Sequence, residues 1–265
     1  MTPAGRGDPG NPANSGSPAN SGNPANPANP GNPAHPTDSA DPGTAGASAR
    51  AEYQRRHRAR QARIDKSWGP LAGVVKAVSS DPQSTTAWRD GALGEERVAT
   101  DLARRAGDRV LFLYDRRVPG TRGNIDIIAV APSGVWVIDV KSSSGRVEHR
   151  DVGGLFKRDL RVYVGGRDRS SSVSGMGWQL SAVGKALGEC GLALPGGAAP
   201  EVHAVLCFTG ASWGLLAKPF LHDGILVTWS MRLADSLCRP GPLALEEIRA
   251  VHEELSRLLP SKGTG

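Results

Sequence analysis

The sequence contains few cysteines and no long hydrophobic run. Its three cysteines, Cys190, Cys207 and Cys238, form no CxxC pair and share no zinc-type spacing with histidine. Neither a disulfide framework nor a structural zinc site is therefore expected. No segment resembles a signal peptide or approaches the length of a membrane span. These absences favour a reducing compartment, and we expect a cytoplasmic protein without stable membrane insertion.

The first part of the chain lacks the residues that build a core. Residues 8–36 repeat Asn-Pro-Ala and close variants, with no aromatic side chain and almost no large apolar one. Burial of such a segment cannot offset the entropy lost on ordering it. We predict a disordered tail at residues 1–48. About 200 residues remain, enough for one domain with helical additions.

The positive charge of the chain is unevenly distributed. The formal net charge is +6, and residues 49–66 alone carry six Arg and one Lys against Glu52 and Asp65. This segment lacks Gly and Pro and is rich in Arg, Ala and Gln, which favours a helix. We predict a basic helical arm at residues 49–80. Such an arm suits a polyanion, either nucleic acid or an anionic membrane surface, or it is a solvated helix whose charges maintain solubility.

The rest of the chain alternates between helical and strand patterns. The predicted helices span residues 87–106, 178–190, 232–238 and 245–259, and the predicted strands span residues 109–114, 125–130, 135–140, 146–150, 160–164, 202–208 and 225–229. Residues 115–123 and 170–177 are expected to be loops. The continuous apolar run at 202–208 is typical of a strand buried on both faces. The order predicts an α/β domain around a mixed sheet at residues 81–260.

Polar charges interrupt the most apolar stretch of the chain. The strands at 125–130 and 135–140 flank a tight turn, which indicates a β-hairpin. If Pro132 and Ser133 form the loop, paired residues have numbers that sum to 265, and Asp126 lies opposite Asp139. Lys141 then shares their face, because side chains alternate along a strand. A slip of one residue would move Asp126 to the other face.

Two carboxylates and a lysine in one small space have a specific chemical use. Neighbouring carboxylates repel each other and favour a divalent cation between them, and their hard oxygen atoms suit Mg²⁺ or Mn²⁺. A metal held in this way can bind a phosphate oxygen and supply an activated water. A nearby lysine can orient that water or stabilise charge on phosphorus. The alternative is an exposed ion pair at a strand end.

Four sequence pieces in order resemble a known family. They are Gly91-Ala92-Leu93-Gly94-Glu95, Asn124-Ile125-Asp126, Gly134-Val135-Trp136-Val137-Ile138-Asp139-Val140-Lys141 followed by Gly145, and the helix that starts Trp178-Gln179. Over residues 87–210 the chain resembles the PD-(D/E)XK nuclease superfamily, and within it the nuclease-related domain, NERD. The resemblance implies a restriction-endonuclease-like α-β-β-β-α-β core, with a mixed central sheet flanked by helices. Asn124-Ile125 replaces the Pro of the motif, and Asp139 replaces the more common Glu.

The resemblance also implies a role for each matching residue. Asp126 and Asp139 would hold Mg²⁺ or Mn²⁺, with the main-chain carbonyl of Val140 as a further ligand, and Lys141 would be the catalytic lysine. Glu95 would approach the metal from its helix, and Gln179 would steady the site or touch the substrate backbone. Glu95 could instead be helix surface, and Gln179 could be a first-turn capping residue.

The leading functional hypothesis is a metal-dependent nuclease that hydrolyses phosphodiester bonds of DNA or RNA. Basic residues around the hairpin are candidates for phosphate contacts, namely Arg116, Arg117, Arg122, Lys157, Arg158 and Arg161. The alternative is a catalytically inactive nucleic-acid-binding or interaction module with the same fold. A weaker alternative places the basic arm on an anionic membrane. The sequence leaves the oligomeric state open. His149 is expected to be a strand-surface residue rather than a ligand, and His203 is expected to be structural.

Overall fold

The computed structural model describes residues 40–69, 82–154, 157–191 and 199–261. Its helices are α1 Ala47–Trp68, α2 Gln83–Ala106, α3 Ser170–Ser174, α4 Gly177–Glu189, α5 Ser230–Leu237 and α6 Leu245–Leu258, with a 3-10 turn at Gly107–Arg109. Its strands are β1 Leu111–Arg117, β2 Asn124–Ala131, β3 Gly134–Asp151, β4 Leu160–Val164, β5 Arg167–Asp168, β6 Val202–Ser212, β7 Phe220–His222 and β8 Ile225–Thr228.

The strands form one mixed sheet. Its order is β1-β2-β3-β6-β8-β7, with β4 paired to the second half of β3 and β5 paired to β4. The pairs β3/β6 and β6/β8 are parallel, and the others are antiparallel. The parallel strands at the centre are rich in β-branched residues, as expected for strands covered on both faces. The predicted mixed central sheet is confirmed.

Helices cover both faces of this sheet and supply two apolar clusters. On one face, α2 and α5 contribute Val98, Leu102 and Leu233, which pack against residues such as Ile127 and Val205. On the other face, α4 and α6 contribute Val183, Val251 and Leu255, among the members of the second cluster. Each helix buries one apolar stripe, which is the pattern of an amphipathic helix on a sheet. The catalytic candidates lie where β2 and β3 emerge between these layers.

The long strand β3 differs from the sequence prediction. We predicted separate strands at 135–140 and 146–150, whereas β3 is one element with a register shift between Ser142 and Gly145. Gly145 has a φ of 97°, and a Cβ at this position would lie 2.5 Å from the Gly165 Cα. Only glycine fits such a position, because the φ is unfavourable for L-residues and the backbones are too close. The bulge turns β3 toward its second partner, β4.

Two predicted loops are partly regular in the structure. β1 extends to Arg117 rather than ending near residue 114, because its last residues pair with Asn124 and Ile125 of β2. Ser170–Ser174 forms the short helix α3, with Val173 buried, where we expected a flexible loop. The short strands β5 and β7 were not predicted, since they have too few residues to show a period-2 pattern.

Residues 41–48 lie against the domain, which corrects the tail boundary. The Tyr114 N–H donates to the Pro42 carbonyl at 2.7 Å, and Ala45 is buried. Their small size explains this packing, because a Cβ on Gly43 would lie 2.3 Å from the Tyr114 carbonyl oxygen. The rest of the predicted tail, and residues 70–80 of the predicted arm, fall outside the described residues. Within the described part of the chain, no helix is apolar and long enough to span a bilayer.

Candidate functional site

The hairpin of β2 and β3 has the register predicted from the sequence. Ile127 pairs with Ile138 and Ala131 pairs with Gly134, so Pro132 and Ser133 form the loop. Asp126 therefore precedes the last ladder pair at the open end of the hairpin. There the Val140 N–H donates to Asp126 Oδ2 at 2.9 Å. This side-chain contact takes the place of a backbone pair and holds the carboxylate beside β3.

Asp139 stands at the centre of the cluster. It is 7% exposed, and the Lys141 Nζ lies 2.6 Å from its Oδ2. The Gln179 side-chain amide donates to its Oδ1 at 3.2 Å. Asp139 and Lys141 are two residues apart on one strand and so share a face. The structure thus brings Asp126, Asp139, Lys141 and Gln179 together, as the sequence predicted.

Glu95 reaches the cluster from α2. The close approach of this helix depends on Gly94, where a Cβ would lie 3.0 Å from Thr209 Cγ2 and 3.1 Å from Ser142 Cβ. Glu95 is 7% exposed, which removes the alternative that it is ordinary helix surface. The Gly46 N–H donates to its carboxylate, while Oε2 has no hydrogen-bond partner among the described residues. A buried carboxylate oxygen without a donor favours a cation nearby.

The electrostatics of the cluster show an excess of negative charge. Burial, followed by the charges of Asp126 and Asp115, raises the pKa of Glu95 to about 9. Although part of Asp126 remains accessible, burial and the charge of Asp139 raise its pKa to about 7. Burial by itself would lower the pKa of Lys141, but the charge and hydrogen bond of Asp139 outweigh it and raise that pKa. One lysine does not neutralise this set of carboxylates.

The donor atoms of the cluster fit a hard divalent cation. Among the described residues, no three His, Cys, Asp or Glu side chains stand close enough to hold a metal together. Mg²⁺ needs only one or two protein carboxylates when waters complete its octahedron, and Asp126 and Asp139 can provide these. The Val140 carbonyl points to the same strand edge as its N–H, toward Asp126, because both groups of a residue face one neighbour. Glu95 would lie farther from the cation and act on it through its negative charge.

Sequence reasoning missed Asp115, in the second half of β1. It is buried and has a φ of 50°, in the left-handed region that Asp tolerates better than most residues. Its Oδ1 accepts a 2.7 Å hydrogen bond from the Asn124 amide, and its Oδ2 accepts the Ser48 N–H in the first turn of α1. Asp115 thus ties α1 and the start of β2 to the site. The available signal was an acidic residue directly after the apolar run of β1.

The proposed phosphate-contacting residues separate into three groups. Arg116 is 1% exposed, and its guanidinium donates to the carbonyls of Leu259, Asp41 and Ser256, so it is structural and cannot reach a phosphate. Arg117 and Arg122 are exposed in and beside the loop before β2. That loop lies near the carboxylate cluster, since it packs against α4, the helix that carries Gln179: the ring of Trp178 contacts Gly123.

The third group lies away from the cluster. Lys157 and Arg158 are exposed beyond the far end of β3, where Arg158 pairs with Asp151. At about 3.3 Å per residue, Asp151 is up to roughly 40 Å along the strand from Asp139. Arg161 is engaged by Asp159 and Asp168. The structure therefore does not bring these residues to the site.

A cleft of about 950 Å³ opens beside the cluster. Glu95 and Lys141 line it, together with Arg97, Arg167 and Arg169. Arg169 Nε is buried and has no hydrogen-bond partner in the described structure. These arginines were missed because they come from α2 and from the residues around β5, which the sequence does not place together. A second cavity of about 1080 Å³ near β7 and β8 lacks the carboxylate and lysine arrangement.

The two histidines noted in the sequence lie outside the cluster. His203 Nε2 contacts the Ser133 carbonyl oxygen at 3.1 Å, and its ring packs on Trp136 at 4.2 Å between centroids. His149 stacks on Phe220 at 4.4 Å between centroids, and its Nε2 lies 3.3 Å from His222 Nδ1. His203 is part of the packing of the sheet, as expected, and His149, which we expected at the strand surface, packs against β7.

Comparison with known proteins adds one match. The family model of the nuclease-related domain, NERD, matches residues 90–209, just under half of the chain. Comparison with curated proteins and with solved structures finds no match. The matched region begins within α2 and ends within β6, and it includes Glu95, Asp126, Asp139, Lys141 and Gln179. Its mixed sheet with flanking helices fits a restriction-endonuclease-like fold. The chain therefore contains a nuclease-related domain at residues 90–209.

Proposed function

We propose that the protein is a metal-dependent nuclease that hydrolyses phosphodiester bonds of DNA or RNA at the Asp126, Asp139 and Lys141 cluster. The observation that carries this proposal is the convergence of two carboxylates and a lysine at one end of a hairpin. The cluster opens into a cleft with several arginines, which suits a polyanionic substrate. The nuclease-related domain supplies independent support.

The residues of the cluster would divide the chemistry between them. Asp126 and Asp139 would hold Mg²⁺ or Mn²⁺, with the Val140 carbonyl as a further ligand. When bound, the metal supplies a Lewis acid for a phosphate oxygen and lowers the pKa of a bound water. Because its pKa is raised, Lys141 stays protonated beside Asp139. It would therefore supply positive charge and N–H donors to the phosphate or the attacking water, rather than act as a base.

Other residues of the site would position the reacting groups. Gln179 donates to Asp139 and limits the rotation of its carboxylate. Asp115 and Asn124 fix the segment that leads into Asp126. Arg97, Arg167 and Arg169 would contact backbone phosphates in the cleft. Such contacts orient a strand without selecting a base sequence, so we expect little sequence preference.

Cleavage assays with matched variants test the proposal. The full chain would be incubated with plasmid, linear duplex, single-stranded DNA and RNA in Mg²⁺, Mn²⁺ or EDTA, beside Asp139→Asn. The control is Asp223→Asn, the same chemical change in an exposed turn between β7 and β8. We expect metal-dependent cleavage that Asp139→Asn abolishes and Asp223→Asn retains. Binding of nucleic acid by well-folded protein without any cleavage would instead identify a non-catalytic binding module.

A further inference from the structure

The basic helix α1 lies outside the nuclease-related region and packs along α2. At one end, Gly46 packs against the backbone of Ala92, and Arg50 forms an ion pair with Glu96. Farther along α1, the Arg56 guanidinium lies 5.6 Å from the ring centroid of Trp88. The later residues Arg60 and Arg63 line one cavity with the start of α2, so the two helices are antiparallel. α1 starts beside the catalytic carboxylates and ends its contacts at the first turn of α2.

The two helices enclose a basic notch. This cavity of about 490 Å³ is lined by the side chains of four arginines and by the first turn of α2, through Arg55, Arg56, Arg60, Arg63, Ala59, Pro82, Ser84 and Thr85. Glu52 accepts hydrogen bonds from Arg55 and Arg56. No acidic side chain is among the described residues that line the notch, so its lining has a surplus of positive charge. A cavity with such a surplus suits a phosphate group.

The first turns of α2 line both the notch and the catalytic cleft. Gln83 and Thr86 line the cleft, while Ser84 and Thr85 line the notch, so consecutive residues of one helical turn face both. Trp88 also lines the cleft and is 40% exposed. Ser84 and Glu95 are about 17 Å apart along α2 at the helical rise of 1.5 Å per residue. At about 3.4 Å per nucleotide of one strand, the separation corresponds to about five nucleotides.

We infer that α1 and the first turns of α2 extend the substrate site, so that the basic notch holds backbone phosphates about five nucleotides from the cleavage position. Trp88 lies between the notch and the catalytic cluster and would stack on a base. Stacking on an exposed tryptophan requires an unpaired base, so the substrate class is single-stranded nucleic acid. The inference rests on the proposed nuclease function, because it takes the cluster as the point of cleavage.

The composition of α1 disfavours the alternative of an anionic membrane. A helix that lies in a membrane interface needs an apolar face with large side chains. The apolar residues of α1, apart from Trp68, are alanines with Tyr53 and Ile64, while arginines lie around much of the helix. Its surface is that of a charged helix that attracts a flexible polyanion.

Binding measurements in EDTA test the extended substrate site separately from catalysis. The full chain and its Arg60→Gln/Arg63→Gln variant would be titrated with fluorescent single strands of four and fifteen nucleotides. The control is Arg104→Gln/Arg105→Gln, which removes the same charge at the other end of α2. We expect the notch variant to bind the long strand about tenfold more weakly, with no change for the short strand. The slope of log affinity against log salt should fall by about 1.4.

A second variant tests the stacking residue. Trp88→Ala should weaken binding of single strands about five- to hundredfold, while binding of duplex of the same length changes little. Equal effects of the notch variant and its control would overturn the inference, as would binding to anionic vesicles without binding to any strand. If binding depends on strand length but the protein never cleaves, the extended substrate site would be supported and the proposed nuclease function rejected. Metal-dependent cleavage without a strand-length effect would support the proposed nuclease function and overturn the inference of an extended substrate site.

Discussion

Two buried polar clusters lie close together in sequence and differ in how they are satisfied. Arg116 donates to the carbonyls of Leu259, Asp41 and Ser256 and to the Ser256 hydroxyl, so its donors are well used. Ten residues later, Asp126 joins a cluster with excess negative charge, in which the pKa values of Glu95 and Asp126 are raised. The comparison teaches that a buried charge with a full set of partners is structural. One left without them is a candidate for ligand binding.

The largest expected effect is on activity in the carboxylate cluster. Asp139→Ala/Lys141→Ala leaves the net charge unchanged and removes one carboxylate and the lysine. We expect cleavage to fall about 10⁴-fold, since a metal ligand and a phosphate-stabilising charge are both lost. Stability should change little, because the Asp139 carboxylate and the Lys141 ammonium that pairs with it are removed together. Initial cleavage rates and urea unfolding measure both quantities. Global unfolding of this variant would show that the carboxylate cluster, like the Arg116 cluster, is needed for stability.

Arg116→Ala should show the opposite behaviour. It leaves the Leu259, Asp41 and Ser256 carbonyls without their donor in a buried site, and we expect a loss of about 3–4 kcal/mol in the free energy of unfolding. Its exposed neighbour offers a matched control. Arg117→Ala should change that free energy by less than about 0.5 kcal/mol. Urea denaturation measures the difference, and equal stabilities of the two variants would contradict a structural role for Arg116.

The carboxylate cluster should also make stability depend on pH. The pKa values of Glu95 and Asp126 are raised from 4.5 and 3.8 to about 9 and about 7. The folded state therefore binds more protons than the unfolded state between those values, and its stability falls as pH rises from about 4 to about 9. Since a difference of one in pKa corresponds to about 1.4 kcal/mol, we expect a decrease of several kcal/mol in EDTA.

Two changes should reduce this pH dependence. Glu95→Gln removes the group with the higher folded pKa, so the decrease should largely end near pH 7. Saturating Mg²⁺ should restore stability at high pH, because it binds the ionised carboxylates of the folded state. Unfolding midpoints at several pH values, with and without metal, measure both effects. Stability that rises from pH 5 to pH 9 in EDTA would show that the carboxylates are well paired.

The smallest expected effect is at Gln179. Gln179→Ala removes the 3.2 Å donor to Asp139 without removing a ligand or a charge. We expect cleavage to fall about tenfold and stability to change by less than about 1 kcal/mol. Ser181→Ala, at an exposed position of the same helix, is the control and should leave both unchanged. A cleavage rate equal to that of the unchanged protein would limit Gln179 to packing.

Local patterns predicted the centre of the site. The hairpin register follows from a two-residue turn and the period-2 alternation of β2 and β3, so Asp126, Asp139 and Lys141 could be placed on one face. The helices α2, α4 and α6 were located from their apolar spacing to within a few residues. These features depend on residues near one another in the chain. The resemblance to the nuclease-related domain then linked Glu95 and Gln179 to the hairpin.

Contacts between distant segments decided the rest. Arg116 looked like a phosphate ligand because its acceptors at Ser256 and Leu259 are 140 residues or more away. Likewise, residues 41–48 have a tail-like composition, but β1 and the chain end near Ser261 give them partners. The cleft arginines and the notch between α1 and α2 arise only when separate elements pack together. Sequence alone determined the residues and register of the hairpin, because these are local, whereas tertiary structure decided which charges are buried and paired, because burial depends on the whole chain.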